Sequence, residues 1–322
     1  MATINHIAKK TGLSKSTVSR YLNHGSVSET SKKKIKKAIE DLSYIPNSYA
    51  RNLKIAKTNT IGVIIPNFIG YTKNTSLNAI NIYLKDSGYS MFISCSNDDM
   101  KQEIRIINEM VRLNVDGIIL FASDITNEHK KTLNSLDIPL VIFGQTLDKF
   151  ISVTADDYVA GRLMANYIKE LNHKEISYFD VGSYDLAVGK RYTGLFDVLK
   201  DTDIKINHHH SDFTKKTAYE RTKQVVEKES STLYLGATDN IAFGIIEALR
   251  EKNINIPDEI SVAGFGDYEI SPLINPPLTT VAFSYEMLGR IAIESLIDAI
   301  EGNKSIIAKQ IKPKLIVRSS CR

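Results

Sequence analysis

The chain has 322 residues, 24% of them charged, with a net charge of +4 and no tryptophan. That length suits two or three modules rather than one minimal domain, and no stretch approaches the roughly 18 consecutive apolar residues of a membrane span. Met1 leads into polar, basic sequence without an apolar secretory run, so the expected compartment is the cytoplasm; Cys95 and Cys321, far apart and without Cys-x-x-Cys or Cys/His ligand spacing, are expected as reduced thiols, with no disulfide and no zinc site.

The charge is unevenly spread. Residues 1–57 hold 12 Lys+Arg against 3 Asp+Glu, a surplus of +9, which leaves 29 against 34, or −5, for the remainder. A basic head on a near-neutral body is the footprint of a nucleic-acid binder, because cations that neutralise phosphates dominate affinity for a duplex. A charge run alone only solvates a helix face, so geometry must decide.

That geometry lies in "TINHIAKKTGLSKSTVSRYLNHG". Thr3 is placed to cap a first helix with Ile4, Ile7 and Ala8 on one face; Thr11-Gly12-Leu13 breaks it; Ser14 caps a second helix that turns Val18 and Leu22 inward. Two short helices joined through a glycine turn read as a helix-turn-helix. A third helix, predicted from about Ser31 to Leu42, sets Ile35, Ala38, Ile39 and Leu42 at spacings of three and four with lysines outside. In such a head the start of the second helix enters the major groove. Arg20 can pair bidentately with guanine, while Lys15 and Ser16 make less stringent base contacts. Thr3, Thr17, Ser19, Asn23 and Ser28 are small polar groups suited to phosphates, which position without specifying. For each hydroxyl, capping or exposure to water is the plainer alternative.

"TVSRYLN" followed by "VSETSKKKIKKAIEDLSYIPNSYARNL" resembles the LacI/GalR family of bacterial transcription regulators, continuously over about the first 55 residues. The resemblance implies a homodimer on a pseudo-palindromic operator, with a hinge helix in the minor groove. Matched by position, Asn47 caps that helix, Ala50 lets two hinge helices pack closely, and Leu53 wedges between central base pairs. Physical reasoning agrees: a helix of roughly seven residues is marginal alone and needs a partner to form, and apolar wedges are a general means of bending a duplex. The alternative is an ordinary linker with Leu53 tucked against the head. The expected division is 1–46 for the helix-turn-helix domain, 47–57 for the hinge and 58–322 for the body.

In the body, "TIGVIIP", "YSMFIS", "DGIILFA" and "PLVIFG" are short apolar runs separated by helical periodicity, as in residues 101–113. The alternation restarts with "ISVTA", a helix near 157–171, "ISYFDVG", a helix near 187–200, "TLYLGA", a helix near 240–252 and "ISVAGFG". Apolar strands alternating with helices mean parallel sheets covered on both faces, and the length favours two. The fold class expected is therefore α plus α/β: a three-helix head and a two-lobed, periplasmic-binding-protein-like body of two doubly wound sheets. The first lobe takes about 58–153 and 284–310, the second about 154–283 and 311–322.

Open α/β sheets bind ligands beyond the carboxyl ends of their strands. Phe68, Tyr71, Ser123, Gln145, Asp156, Arg191, Asp239 and Asp267 stand there, a mixture of charged, amide and aromatic groups suited to a polyhydroxylated ligand. The family resemblance extends here through "NPPLTTVAFSYEMLGRIA", "ATDNIAFG" and "GKRYTGL". It implies that Arg191 is the effector arginine and that Phe213 and Tyr285 are pocket aromatics. Thr238 stands where the family usually has Asn, and Gly266 where an Asp often contacts the effector. "DLAVGKR" and "GFGDYEIS" resemble sucrose-type or related disaccharide repressors of Gram-positive bacteria. Against these roles, Asp156, Asp157 and Asp239 would serve as helix caps in any α/β protein, Arg191 could make a surface salt bridge, and the triple histidine 208–210, lacking acidic or Cys partners at ligand spacing, reads as a solvated turn rather than a metal site.

The function expected is a repressor of carbohydrate utilisation controlled by a sugar or sugar phosphate between two lobes. Two alternatives stay open: a catabolite-control regulator answering to a phosphorylated carrier protein, and a sugar-binding transport receptor, which the body alone permits. No GxSxG, HExxH, GxGxxG or P-loop occurs, so neither an enzyme nor a cofactor is expected. A dimer rather than a tetramer is expected, because nothing after "KLIVRSSCR" could form an extra helix.

Overall fold

A computed structural model describes residues 2–22, 25–44, 57–68, 70–122, 124–182, 185–303 and 308–322. Asn23, Asn47, Ala50, Leu53 and Ser123, and with them the expected hinge helix, lie outside these. The chain divides into two units, Met1–Asn59 and Thr60–Arg322.

In the head, α1 (Ile4–Thr11), α2 (Lys15–Leu22) and α3 (Glu29–Asp41) enclose a core of Ile7, Ala8, Val18, Ile35, Ala38 and Tyr44, with Leu22, Ile39 and Leu42 packed at its margin. Gly12 ends α1 in the left-handed region, at φ 67°, where a Cβ is disfavoured. The third helix begins two residues before the predicted Ser31, because Ser28 supplies the cap: its Oγ accepts from the Ser31 backbone N–H at 3.3 Å. A core this small is easily emptied.

The body carries β1 (Thr60–Ile65), α4 (Tyr71–Ser87), β2 (Ser90–Cys95), α5 (Met100–Arg112), β3 (Gly117–Phe121), α6 (Asn127–Asn134), β4 (Leu140–Phe143) and β5 (Ile151–Ala155). It continues with α7 (Asp157–Glu170), β6 (Glu175–Asp180), α8 (Leu186–Leu199), β7 (Lys205–His210), α9 (Lys215–Val225), β8 (Leu233–Gly236), α10 (Asp239–Glu251) and β9 (Ser261–Gly266). Last come β10 (Thr279–Ala282), α11 (Tyr285–Ile300), β11 (Ala308–Ile311) and β12 (Lys314–Ile316).

Two six-stranded sheets result, ordered β2-β1-β3-β4-β5-β11 and β7-β6-β8-β9-β10-β12. Both begin with the same doubly wound order, so each reverses direction beside its first strand, between β1 and β3 and between β6 and β8. Every pairing among the described strands is parallel except that of β12 with β10. Burial explains the register: β1, β3, β4, β8 and β9 are apolar and buried nearly throughout because helices cover both faces.

Two expectations need correction. The histidines 208–210 are not a turn: they form the end of β7, the edge strand of the second sheet, paired residue for residue with β6 from Tyr178 to Asp180. Their alternation hides His209 and exposes its neighbours, a period-two pattern that a run of identical residues cannot display. The lobe boundary also moves, because β5 belongs to the first sheet through Ala155 and the chain crosses at Asp156. The chain crosses between sheets again from β10 to α11, which packs on α4 and β3, and from β11 to β12. Both cysteines are free, and burial first of all pushes the Cys321 thiol up to about 11. No helix among the described residues is long and apolar enough to cross a membrane.

Ile35 is fully buried at the centre of the head. Ile35→Ala is expected to cost the head about 2–5 kcal/mol, read as faster amide hydrogen exchange throughout α1 to α3; unchanged protection would show that the three helices do not share one core.

Candidate DNA-binding head and inter-lobe cleft

The exposed start of α2 is set by a local hydroxyl network. Ser14 Oγ accepts from the Thr17 backbone N–H at 3.2 Å and lies 2.8 Å from both Ser16 Oγ and Thr17 Oγ1. Ser14 is thus the cap expected of it, and Thr17 is half-buried against it, while Lys15, Ser16 and Arg20 stand exposed on the helix. Ser19 is half-buried. Thr3 is tied to His6, whose Nδ1 accepts from the Thr3 backbone N–H at 3.1 Å, and Ser28 caps α3. Among the DNA candidates within the described residues, Lys15 and Ser16 at the start of α2 and Arg20 in its last turn are exposed and cap no helix. Lys33, Lys34, Lys36 and Lys37 add an exposed basic face on α3.

In the body, Arg191 lies in α8, its side chain only 11% exposed. Its Nε donates to Asp157 Oδ1 at 2.8 Å and its Nη1 to the Ala237 carbonyl at 2.9 Å. The guanidinium also stands over the Phe283 ring, 4.7 Å from its centroid. Burial raises the Asp157 carboxyl above the usual carboxylate range, against the pull of the adjacent Arg191. The position is set by helix packing. A Cβ at Gly161 of α7 would come within 1.9 Å of the Arg191 carbonyl oxygen, and one at Gly194 of α8 within 2.0 Å of the Tyr158 carbonyl oxygen. Only glycines allow the two backbones so close, and that contact brings Asp157 to Arg191.

Next to this pair is a cleft of about 70 Å³. Gly144, Gln145, Thr146, Thr154 and Ala155 line it from the ends of β4 and β5, and Asp157, Leu186, Ala187 and Lys190 line it from α7 and α8. The Gln145 amide donates to the Ala122 carbonyl at 3.0 Å. In the first lobe, Lys73 Nζ donates to Asn67 Oδ1 at 2.5 Å; burial lowers the Lys73 amine below its ordinary value, against Asp98 and Asp185. Three tyrosines meet nearby. Tyr71, the first residue of α4, stacks on Tyr268 with centroids 4.5 Å apart, and meets Tyr285 edge-on at 6.2 Å.

The remaining candidates divide. Asp156 caps α7, its Oδ1 accepting from the Val159 backbone N–H at 3.0 Å. Asp157 and Asp239 are not caps but the first residues of their helices, and Thr238 caps α10. Asp239 is fully buried: Oδ1 accepts from Thr280 Oγ1, and Oδ2 from Ser271 Oγ and the Tyr268 backbone N–H, at 2.5, 2.5 and 3.0 Å. Asp267 is bound by Arg318 Nη2 at 2.6 Å. Phe68 and Phe213 are exposed, at 61% and 47%. Sequence reasoning missed Tyr268, Phe283 and Lys190, and weighed Asp157 only as a cap. "AFSYE" and "GFGDYE" each end an apolar run in an aromatic, which is the signal that could have marked Phe283 and Tyr268. Among the described residues no group of His, Cys, Asp and Glu is arranged to hold a metal.

Comparison with known proteins gives this geometry a lineage. Residues 3–47 match the family described as bacterial regulatory proteins, lacI family, and residues 165–321 match a periplasmic binding protein-like domain. The chain is 30% identical over 319 residues to a sucrose operon repressor of Staphylococcus xylosus, covering 98% of each. It is 28% identical over 336 residues to an HTH-type transcriptional repressor PurR of Glaesserella parasuis, covering 100% of this chain and 99% of that protein. The structure of the Lac repressor dimer bound to operator and the anti-inducer ONPF superposes with a TM-score of 0.89 at 23% identity, covering 99% of this chain and 98% of that one. The chain belongs to the LacI family and is a DNA-binding transcriptional repressor of that family.

Proposed function

We propose that this protein represses a carbohydrate-utilisation operon in the cytoplasm and is released or engaged by a sugar or sugar phosphate held between its two lobes. The observation that carries the reading is Arg191. Its Nε and Nη1 are held by Asp157 and the Ala237 carbonyl, which fixes a charged guanidinium of the kind that binds a ligand hydroxyl or phosphate. Likeness to a sucrose operon repressor over nearly the whole chain supports a sugar as the ligand class. Tyr285, Gln145 and Thr238 are the contacts we assign around it, with Tyr71 as the ring over its entrance; Phe68 and Phe213 are assigned to the rim. Asp239, Asp156 and Asp267 act by holding the backbone that carries those contacts.

Operator binding falls to Arg20, Lys15 and Ser16 reading bases, with Thr3, Thr17, Ser19, Asn23 and Ser28 at phosphates. Segment 47–57, with Asn47, Ala50 and Leu53, couples the head to the body. A two-fold partner explains Ile82, Phe92 and Met287, exposed at 57%, 46% and 51% on α4, β2 and α11, where α4 packs on both of the other elements. The ligand acts only through unequal affinity for two arrangements of the lobes.

The test is a thermal-stability scan of the purified protein against mono- and disaccharides, sucrose included, and their phosphates, followed by operator affinity with and without each stabilising sugar. Stabilisation without a change in operator affinity would move control to a phosphorylated carrier protein. Arg191→Ala is expected to keep operator binding and lose the response to sugar; a retained response places the ligand elsewhere. Arg20→Ala should weaken operator binding by about 1–3 kcal/mol and relax discrimination at one base pair in each half-site, measured by binding to operators with single substitutions. An unaltered base profile removes Arg20 from the readout.

A further inference from the structure

The cleft beside Arg191 is small for what it is proposed to hold. Ligand pockets of drug-sized molecules occupy roughly 300–1,000 Å³, against the 70 Å³ found here. The Tyr71–Tyr268 pair, which does not line that cleft, joins the lobes on the Arg191 side. Tyr71 follows β1 of the first sheet and Tyr268 follows β9 of the second, so their stack, at 4.5 Å and 30° between planes, is a contact between lobes. At that separation the rings touch, and no sugar ring fits between them.

Tyr268 is held in place from behind. Its backbone N–H donates to Asp239 Oδ2, the same carboxylate that takes Ser271 and Thr280. Its ring meets Phe243 edge-on at 6.3 Å. Gly266 makes room for it: a Cβ there would lie 2.3 Å from the Tyr268 ring, and the backbone φ of 144° is one that residues with side chains rarely adopt. The absence of a side chain at Gly266 therefore leaves the space that the Tyr268 ring fills. Tyr71, by contrast, is the first residue of α4, behind Gly70 at φ 122°, and its ring rests edge-on against Tyr285 at 6.2 Å. One ring is fixed through a loop tied to a buried carboxylate, and the other leans on a neighbouring ring at a helix end.

We propose that Tyr71 and Tyr268 form a latch between the lobes and select the ligand: Tyr268 is the fixed platform on which the C–H face of a sugar ring stacks, and Tyr71 is the cover that the sugar must displace to reach it. The inference rests on the sugar-responsive reading above and deepens it by naming the residues that set specificity and link occupancy to lobe position. A flat C–H face offset by hydroxyls is the ligand chemistry that suits an aromatic platform beside Arg191. Ligands lacking such a face gain nothing from parting the rings, so the latch discriminates by what it costs to open.

The two rings then have opposite effects, which a merely structural role would not produce. With sucrose as the probe and calorimetry on the full chain, Tyr71→Ala should tighten binding by about 2- to 12-fold, the range measured for aromatic pairs, while Tyr268→Ala should weaken it by at least as much. Tyr71→Phe keeps the ring and should lack the gain. Weaker or equal binding by Tyr71→Ala, or wild-type binding by Tyr268→Ala, overturns the proposal. A second measurement needs no ligand. Without sugar, either alanine variant should speed amide exchange in residues 267–271, and the double variant should add little beyond the single ones. Unchanged exchange in both single variants refutes the latch whatever the sugar. If no sugar of the panel binds the wild type while exchange rises as expected, the latch stands and the sugar reading falls.

Discussion

A buried guanidinium has to be paired, and the body is organised around that requirement at Arg191. Leaving such a charge unpaired away from water costs several kcal/mol, so the chain brings it a carboxylate from α7, a carbonyl following β8 and the face of Phe283. Those partners come from three separate stretches of the second lobe, and each lies at the carboxyl end of a strand or the start of a helix. The glycines at 161 and 194 serve the same end, since α7 and α8 must touch along their backbones for Asp157 to reach across. Cleft, helix packing and charge pairing are thus one construction.

Asp239, at the start of α10, has a comparable role. A buried carboxylate with three donors stabilises a loop in one conformation, because each donor would otherwise lose a bond on burial. Here the donors are Ser271, Thr280 and the Tyr268 backbone, so the carboxylate governs where the Tyr268 ring sits. Burial still raises the Asp239 carboxyl above its usual range, with those hydrogen bonds opposing the shift. The residue acts at one remove from the cleft, by positioning.

Much of the architecture is legible in the sequence because it is local. Apolar runs such as "DGIILFA" can only be strands covered on both faces, and "KQEIRIINEMVRL" carries the helical period. Ser14 and Thr238 sit one residue before their helices, and both cap them. The two corrected readings share a cause. Three consecutive histidines show no alternation in the text, so the edge strand they complete is visible only through its pairing with β6. "ISVTA" reads as the start of a second lobe because a strand's sheet is not written in the strand; pairing with β4 and β11 decides it.

The sequence by itself determined the basic head, the hydroxyl caps, the two rounds of alternating strands and helices, and the kinship with LacI-type regulators, since all of these depend on neighbours within a few residues or on a continuous motif. Only the tertiary structure decided which residues share the cleft. Tyr71 and Tyr268 are separated by nearly two hundred positions, and they stack because two sheets of like winding present their strand ends toward each other. Separations of 51 and 41 positions likewise hid the engagement of Asp267 by Arg318 and of Asp239 by Thr280. Whether a polar side chain is free to bind a ligand depends on what the rest of the chain folds against it, and that is a property of long-range contact.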